Sequence, residues 1–103
     1  MDDESKKQAI LAKLRRYGDA VHRILRHEWN PIGFDDFLPE DEYDQYVDRV
    51  CAKLMHGEGR QQLSEYLWWA ETKNMGLQGD HQRTGDIVNR LLLLRDEIES
   101  SSP

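Results

Sequence analysis

Ser5-Lys6-Lys7-Gln8-Ala9-Ile10-Leu11-Ala12-Lys13-Leu14-Arg15-Arg16-Tyr17-Gly18-Asp19-Ala20-Val21-His22-Arg23-Ile24-Leu25 is the stretch on which the fold turns. Its apolar residues Ile10, Leu14, Tyr17, Val21 and Ile24 alternate in steps of four and three, the spacing that lines one face of a helix, and Leu11 and Leu25 widen the stripe. Ser5 followed three positions later by Gln8 is a capping-box pattern, so the helix is expected to start there. It is expected to stop near Trp29, because Asn30 precedes Pro31 and is pushed out of the α region, and Gly33 follows as a turn residue.

The same period returns three times downstream. Tyr43, Val47, Val50 and Leu54, with Tyr46 and Met55 beside them, predict a second helix that begins around Pro39 to Asp41 and stops at Gly57. Leu63, Tyr66, Leu67 and Ala70 predict a third, which begins after Gly59 and ends at Met75-Gly76-Leu77 in a Schellman-type turn. Ile87, Leu91, Leu94 and Ile98, backed by Val88 and Leu92, predict a fourth helix capped by Asp80. No alternating strand pattern and no internal repeat interrupts this series. The reading is therefore all-α: one domain over residues 1–103, a compact bundle of four helices, mostly antiparallel neighbours, with frayed ends at 1–4 and 100–103. Phe34, Phe37 and Leu38 make the connection between the first two helices unusually apolar, so it is expected to be ordered against the bundle.

The chain holds 103 residues, with 14 Lys and Arg against 20 Asp and Glu, a formal charge of −6. That charge is concentrated. Asp35, Asp36, Glu40, Asp41, Glu42, Asp44 and Asp48 contribute −7 with no Lys or Arg among them, leaving the rest of the chain at +1, while residues 5–34 carry +5. The carboxylates suit the positive end of the second helix. An acidic domain disfavours nucleic acid as a partner. No run of about 18 apolar residues offers a membrane span, and the acidic start Met1-Asp2-Asp3-Glu4 is unlike a signal peptide, so the expected location is cytoplasmic. One cysteine, Cys51, excludes an internal disulfide and a cysteine-based metal cage.

No motif names an activity. From Asp35 the sixth residue is Glu40 and the twelfth Tyr46, where an EF-hand loop requires Gly and Glu. His22, His27, His56 and His81 include no pair at ligand spacing, Ser64 lacks a nucleophile elbow, and Cys51 reads as a small core residue. Catalytic residues, metal ligands and cofactors are accordingly assigned as none. Trp68 and Trp69 project about 100° apart on a helix, so at most one can face the core, and a seam formed with the connection from Trp29 through Phe34 to Leu38 is the expected partner for the other. The basic stripe Lys13, Arg16, Arg23 and His27 is either solvated, a dock for an acidic partner, or paired within the molecule with the acidic segment.

Glu28-Trp29-Asn30-Pro31-Ile32-Gly33, then Pro39-Glu40-Asp41-Glu42-Tyr43-Asp44, then Tyr66-Leu67-Trp68-Trp69 through Met75-Gly76-Leu77 resemble the YugE-like family of small bacterial proteins. The resemblance spans residues 28–77 and implies a compact all-helical domain; it brings no activity with it, and Asn30 stands where that family is associated with Asp.

The functional expectation is a non-catalytic protein-binding module. Its site would comprise Trp29, Phe34, Asp35, Asp36, Glu40, Asp41, Asp44 and Trp68, presented to a basic protein partner, with an inhibitor or immunity-type protein as one version. The alternatives are a metal-dependent hydrolase built on Asp35, Asp36, Glu40, Asp44 and His27, and a homo-oligomer that buries exposed aromatics against a second copy.

Overall fold

A computed structural model of the chain describes residues 2–33 and 37–101, with the side chain of Asp2 left aside. Helix α1 (Asp2–Arg23) widens into a π-helical stretch at Ile24–Trp29; α2 is Asp44–Met55; α3 (Arg60–Trp69) widens likewise at Ala70–Asn74; α4 is His81–Ser100. No strand occurs among the described residues. Cross-helix contacts fix the directions. Tyr17 of α1 meets Glu99 of α4 while Glu28 meets Arg90, and His22 meets Asp44 while the more C-terminal Arg26 meets the earlier Glu40, so α1 runs antiparallel to both α2 and α4. Trp68 meets His81 and Arg60 meets Asn89, which sets α3 antiparallel to α4.

Each apolar stripe has a distinct fate. Val47, Val50 and Leu54 of α2, Leu63, Leu67 and Ala70 of the third helix, and Ile87, Val88, Leu91, Leu94 and Ile98 of α4 are buried in one core with Tyr17, Val21, Ile24 and Leu25 of the first. A fully buried aliphatic side chain contributes about 1.5 to 3 kcal/mol, so this cluster is what the fold rests on. The stripe of α1 extends past its cover: Ile10 is 55% and Leu14 42% exposed. The accessible surface of 6783 Å² exceeds the roughly 6,000 Å² expected for a compact chain of this size. The radius of gyration of 14.6 Å likewise exceeds about 13 Å, and the molecule is elongated at 50 × 29 × 19 Å, with residues 3–10 of α1 exposed.

Several boundaries differ from the sequence expectation. Helix α1 takes in residues 2–4, which places Asp3 and Glu4 at the positive end of its dipole and leaves the Ser5/Gln8 capping pattern inside the helix. Helix α2 begins at Asp44, not at Pro39 to Asp41. Two successive turns precede it, closed by Glu42 N–H to Pro39 O at 3.1 Å and Asp44 N–H to Asp41 O at 3.1 Å. The physical reason lies in Tyr43, whose backbone sits at φ −100°, ψ 6° while its buried phenol is tied to the Asn30 turn. Asn30 itself is left-handed (φ 33°).

The helix stops fall at the glycines expected. Gly57 and Gly76 take φ 79° and 74°; at Gly57 the Schellman pair is complete, with Glu58 N–H to Lys53 O at 3.0 Å and Gly57 N–H to Leu54 O at 3.1 Å, while after the π-helical end the closure is one residue wider, Leu77 N–H to Glu71 O at 3.0 Å. The Asp80 carboxylate accepts from Arg83 N–H at 3.0 Å. At the end of α2 a residue from another helix serves the carbonyls: Arg95 donates to Leu54 O at 3.3 Å and Glu58 O at 2.7 Å. A clamp between α1 and α4 completes the frame. Glu99 accepts from the Tyr17 hydroxyl at 2.6 Å and from Lys13 at 2.9 Å, bonds that hold its carboxyl below the usual range, while burial and the same carboxylate push the Tyr17 phenol well up.

Candidate functional site

The acidic segment meets α1, but through residues other than the basic stripe. His22 Nδ1 lies 2.8 Å from Asp44 Oδ1 and its Nε2 lies 3.6 Å from Glu40 Oε1; Arg26, 4% exposed, sits 4.0 Å from Glu40 and donates to Leu38 O at 3.0 Å. The pairing within the molecule is therefore made by His22 and Arg26, whereas Lys13 belongs to Glu99. Glu40 and Asp44 keep most of their surface, with side chains 74% and 53% exposed. Asp41 and Asp48 are exposed beside them.

The connection is only partly pinned. Leu38 and Ile32 are half-buried against the core. Phe37 is 85% exposed, which corrects the expectation that the apolar connection lies flat on the bundle. The Arg26 bond fixes the backbone at Leu38, and that leaves the preceding side chain facing water. Phe34, Asp35 and Asp36 lie outside the described residues.

Trp29 is the second correction. It is 1% exposed, wedged against Tyr43 at 5.6 Å and Tyr46 at 5.7 Å between ring centroids, so it lies beneath the surface it was expected to help present. The Tyr43 hydroxyl donates to Asn30 Oδ1 at 2.7 Å and accepts from Ile32 N–H at 3.2 Å, which locks the turn after α1 onto the start of α2.

The aromatic seam exists along a different route. From Trp29 it passes through Tyr46 to Tyr66 at 6.5 Å and from there to Trp69, stacked at 5.8 Å and 29°. Trp69 ends it 47% exposed. Trp68 takes no part in this seam: it stacks on His81 at 3.8 Å and 8°. Its other close neighbour is Gly79, where an added Cβ would stand 2.7 Å from the Trp68 ring and φ is +88°. Trp68 thus belongs to the turn between α3 and α4 and is not part of the acidic surface.

That turn holds the most enclosed charge among the described residues. Glu71 is fully buried, accepts from Arg83 Nε at 3.0 Å and from Asp80 N–H at 3.0 Å, and so ties the π-helical end of α3 to the start of α4. Its position within Ala70-Glu71-Thr72-Lys73-Asn74 gives no sign of burial, since the apolar period ends at Ala70.

Glu40, Asp44 and His27 of the hydrolase reading and the lone thiol can be placed among the described residues. No group of three His, Cys, Asp or Glu there is placed to hold a metal ion, and His27, the histidine the hydrolase reading used, is exposed while His22 takes the carboxylates. Cys51 is 7% exposed, and burial, reinforced by Asp48, pushes its thiol up to about 11, so it is a protonated core residue at neutral pH. No helix is long and apolar enough to cross a membrane among those residues. No protein-family model, curated protein or solved structure matches the chain. The meaning of the surface therefore has to come from its chemistry.

Proposed function

We propose that this chain is a non-catalytic protein-binding module whose acidic turn and α2 start receive a basic, amphipathic segment of a partner protein. The observation that carries the reading is Phe37, 85% exposed within a few residues of the exposed carboxylates Glu40, Asp41 and Asp44. An exposed apolar side chain close in sequence to a set of like charges suits a steered interface, in which the charges accelerate encounter and the anchor sets residence time. An inhibitor or immunity-type role against a cationic protein is one form of this function, and membership of the YugE-like family belongs to the same proposal.

Capture of binding proteins from cells of the source, at low and high salt, tests it. A partner retained at low salt, weakened by salt, and lost from both Phe37→Ser and Asp41→Lys is the expected outcome. A partner indifferent to salt and to both substitutions overturns it. A second reading rests on Ile10 and Leu14, the uncovered part of the α1 stripe, which would suit a second copy of the chain. Sedimentation of a monomer at high concentration removes that reading and leaves the first untouched.

A further inference from the structure

Where the aromatic seam reaches the surface, it opens into a groove between α2 and the third helix, lined by Gln45, Tyr46, Arg49, Tyr66, Trp69 and Asn74, with a volume of about 490 Å³. That is within the range of small-molecule sites. The local chemistry is specific. Trp69 offers an indole that is 47% exposed and held in orientation by stacking on Tyr66 at 5.8 Å. Tyr66 is in turn buttressed by Tyr46 and has Lys53 Nζ 5.2 Å from its ring centre. Arg49 lies one helical turn beyond Gln45 on the same face of α2 and makes no hydrogen bond or ion pair with any described residue. Asn74 donates one amide N–H to the Tyr46 hydroxyl at 2.7 Å, which fixes its carboxamide in the wall of the groove.

A fixed, half-exposed indole beside an unengaged guanidinium and two carboxamides is complementary to one kind of molecule. The indole takes a flat π-system, the guanidinium takes two oxygens of an acid, and the carboxamides of Gln45 and Asn74 meet polar ring edges. We infer that this groove is a binding site for a planar aromatic anion, stacked on Trp69 with its carboxylate or phosphate on Arg49. The site lies apart from Phe37 and does not rest on the function proposed above. Burial pushes the Tyr66 phenol up, so that ring stays neutral and does not repel the ligand. The chain's charge of −6 acts against any anion, but at physiological salt exposed charges beyond about 8 Å are largely screened, which leaves the Arg49 guanidinium against Asp44 and Asp48, the sequence neighbours of Gln45 and Arg49. Glu42 lines the adjoining lobe by Ile32 and Tyr43, so the acid group is directed to the Arg49 end.

The three tryptophans supply the test, because each gives one indole N–H resonance. The ¹⁵N-labelled protein is titrated with adenosine 5′-monophosphate and with 2-naphthoate, against adenosine and cyclohexanecarboxylate as the neutral and the non-aromatic counterparts. Both aromatic anions are expected to move the Trp69 indole and the Arg49 Nε–H with a Kd at or below about 1 mM, leaving Trp29 and Trp68 in place. The two controls should bind at least ~10-fold more weakly, Arg49→Gln should cost about 10-fold, and Phe37→Ser should change nothing. Trp69→Ala, an exposed position whose circular dichroism should match the parent, should abolish the response at Arg49. Tighter binding by the phosphate arm assigns a nucleotide, and tighter binding by the carboxylate arm an aromatic acid. A Trp69 resonance that stays still, adenosine binding as well as its monophosphate, or an Arg49→Gln variant that binds like the parent overturns the inference.

Discussion

Two connections in this molecule leave their helices in the same way and end up opposite in character. Both α1 and α3 finish in a π-helical stretch, closed by Asn30 N–H to Leu25 O at 3.0 Å in one case and Met75 N–H to Ala70 O at 2.9 Å in the other. After the second, the chain is sealed: a fully buried Glu71 gathers Arg83 and the Asp80 amide, and Trp68 closes over a glycine that admits no Cβ. After the first, the described residues are tied by Tyr43 to Asn30 and Ile32 and by Arg26 to Leu38, while Phe37, three and four residues before Glu40 and Asp41, stands in water. The wide turn is thus only a way of ending a helix with its carbonyls used. The residues just beyond it decide whether the loop serves stability or is free to meet something else.

Substitutions can sharpen that contrast. The largest effect is expected at the sealed turn: Glu71→Ala leaves Arg83 and the Asp80 amide without their acceptor and should lower the unfolding free energy by about 3 kcal/mol, read from the urea midpoint at unchanged slope. Gly79→Ala combines a positive φ with overlap on Trp68 and Thr72, and should cost about 2 kcal/mol, with the Trp68 indole resonance displaced as the visible sign. At the open turn the effects shrink. Tyr43→Phe removes the hydroxyl from Asn30 and Ile32 N–H and should cost about 1 kcal/mol, together with faster amide exchange at Ile32. Phe37→Ser should change stability by less than about 0.5 kcal/mol, since the ring packs on almost nothing. If Phe37→Ser proved as damaging as Gly79→Ala, the two turns would be alike and the open one would be structural after all.

The features legible in the sequence were those with a local cause. The apolar stripes of α2, α3 and α4, the left-handed stops at Gly57 and Gly76 and the Asp80 cap each depend on a few neighbouring residues, and each is where the spacing put it. Features that depend on what another helix covers were not legible. Ile10 and Leu14 keep perfect period with Tyr17, but period names a face and cannot tell how far the neighbouring helices reach along it. Trp29 and Trp68 carried no mark to say that one lies beneath the acidic surface and the other away from it. Arg95 at the end of α2 and Glu71 under α4 look like ordinary solvent-facing charges in sequence, because their partners stand 37 and 12 residues away. The acidic residues were readable as a cluster, while the division of labour within it, with Glu40 and Asp44 leaning on His22 and Asp41 facing outward, required the packing of α1 on α2.

The lone thiol turns the interior into a clock. Cys51 is shielded and protonated at neutral pH, so an alkylating reagent can reach it only in those moments when α2 lifts from its neighbours. Its labelling half-life therefore counts the openings of the bundle from inside, residue-specifically and without a denaturant. Any ligand that seats itself on Arg49 or Trp69 and steadies α2 would lengthen that interval, so a sulfur shut inside the bundle can time the visits of whatever binds outside it.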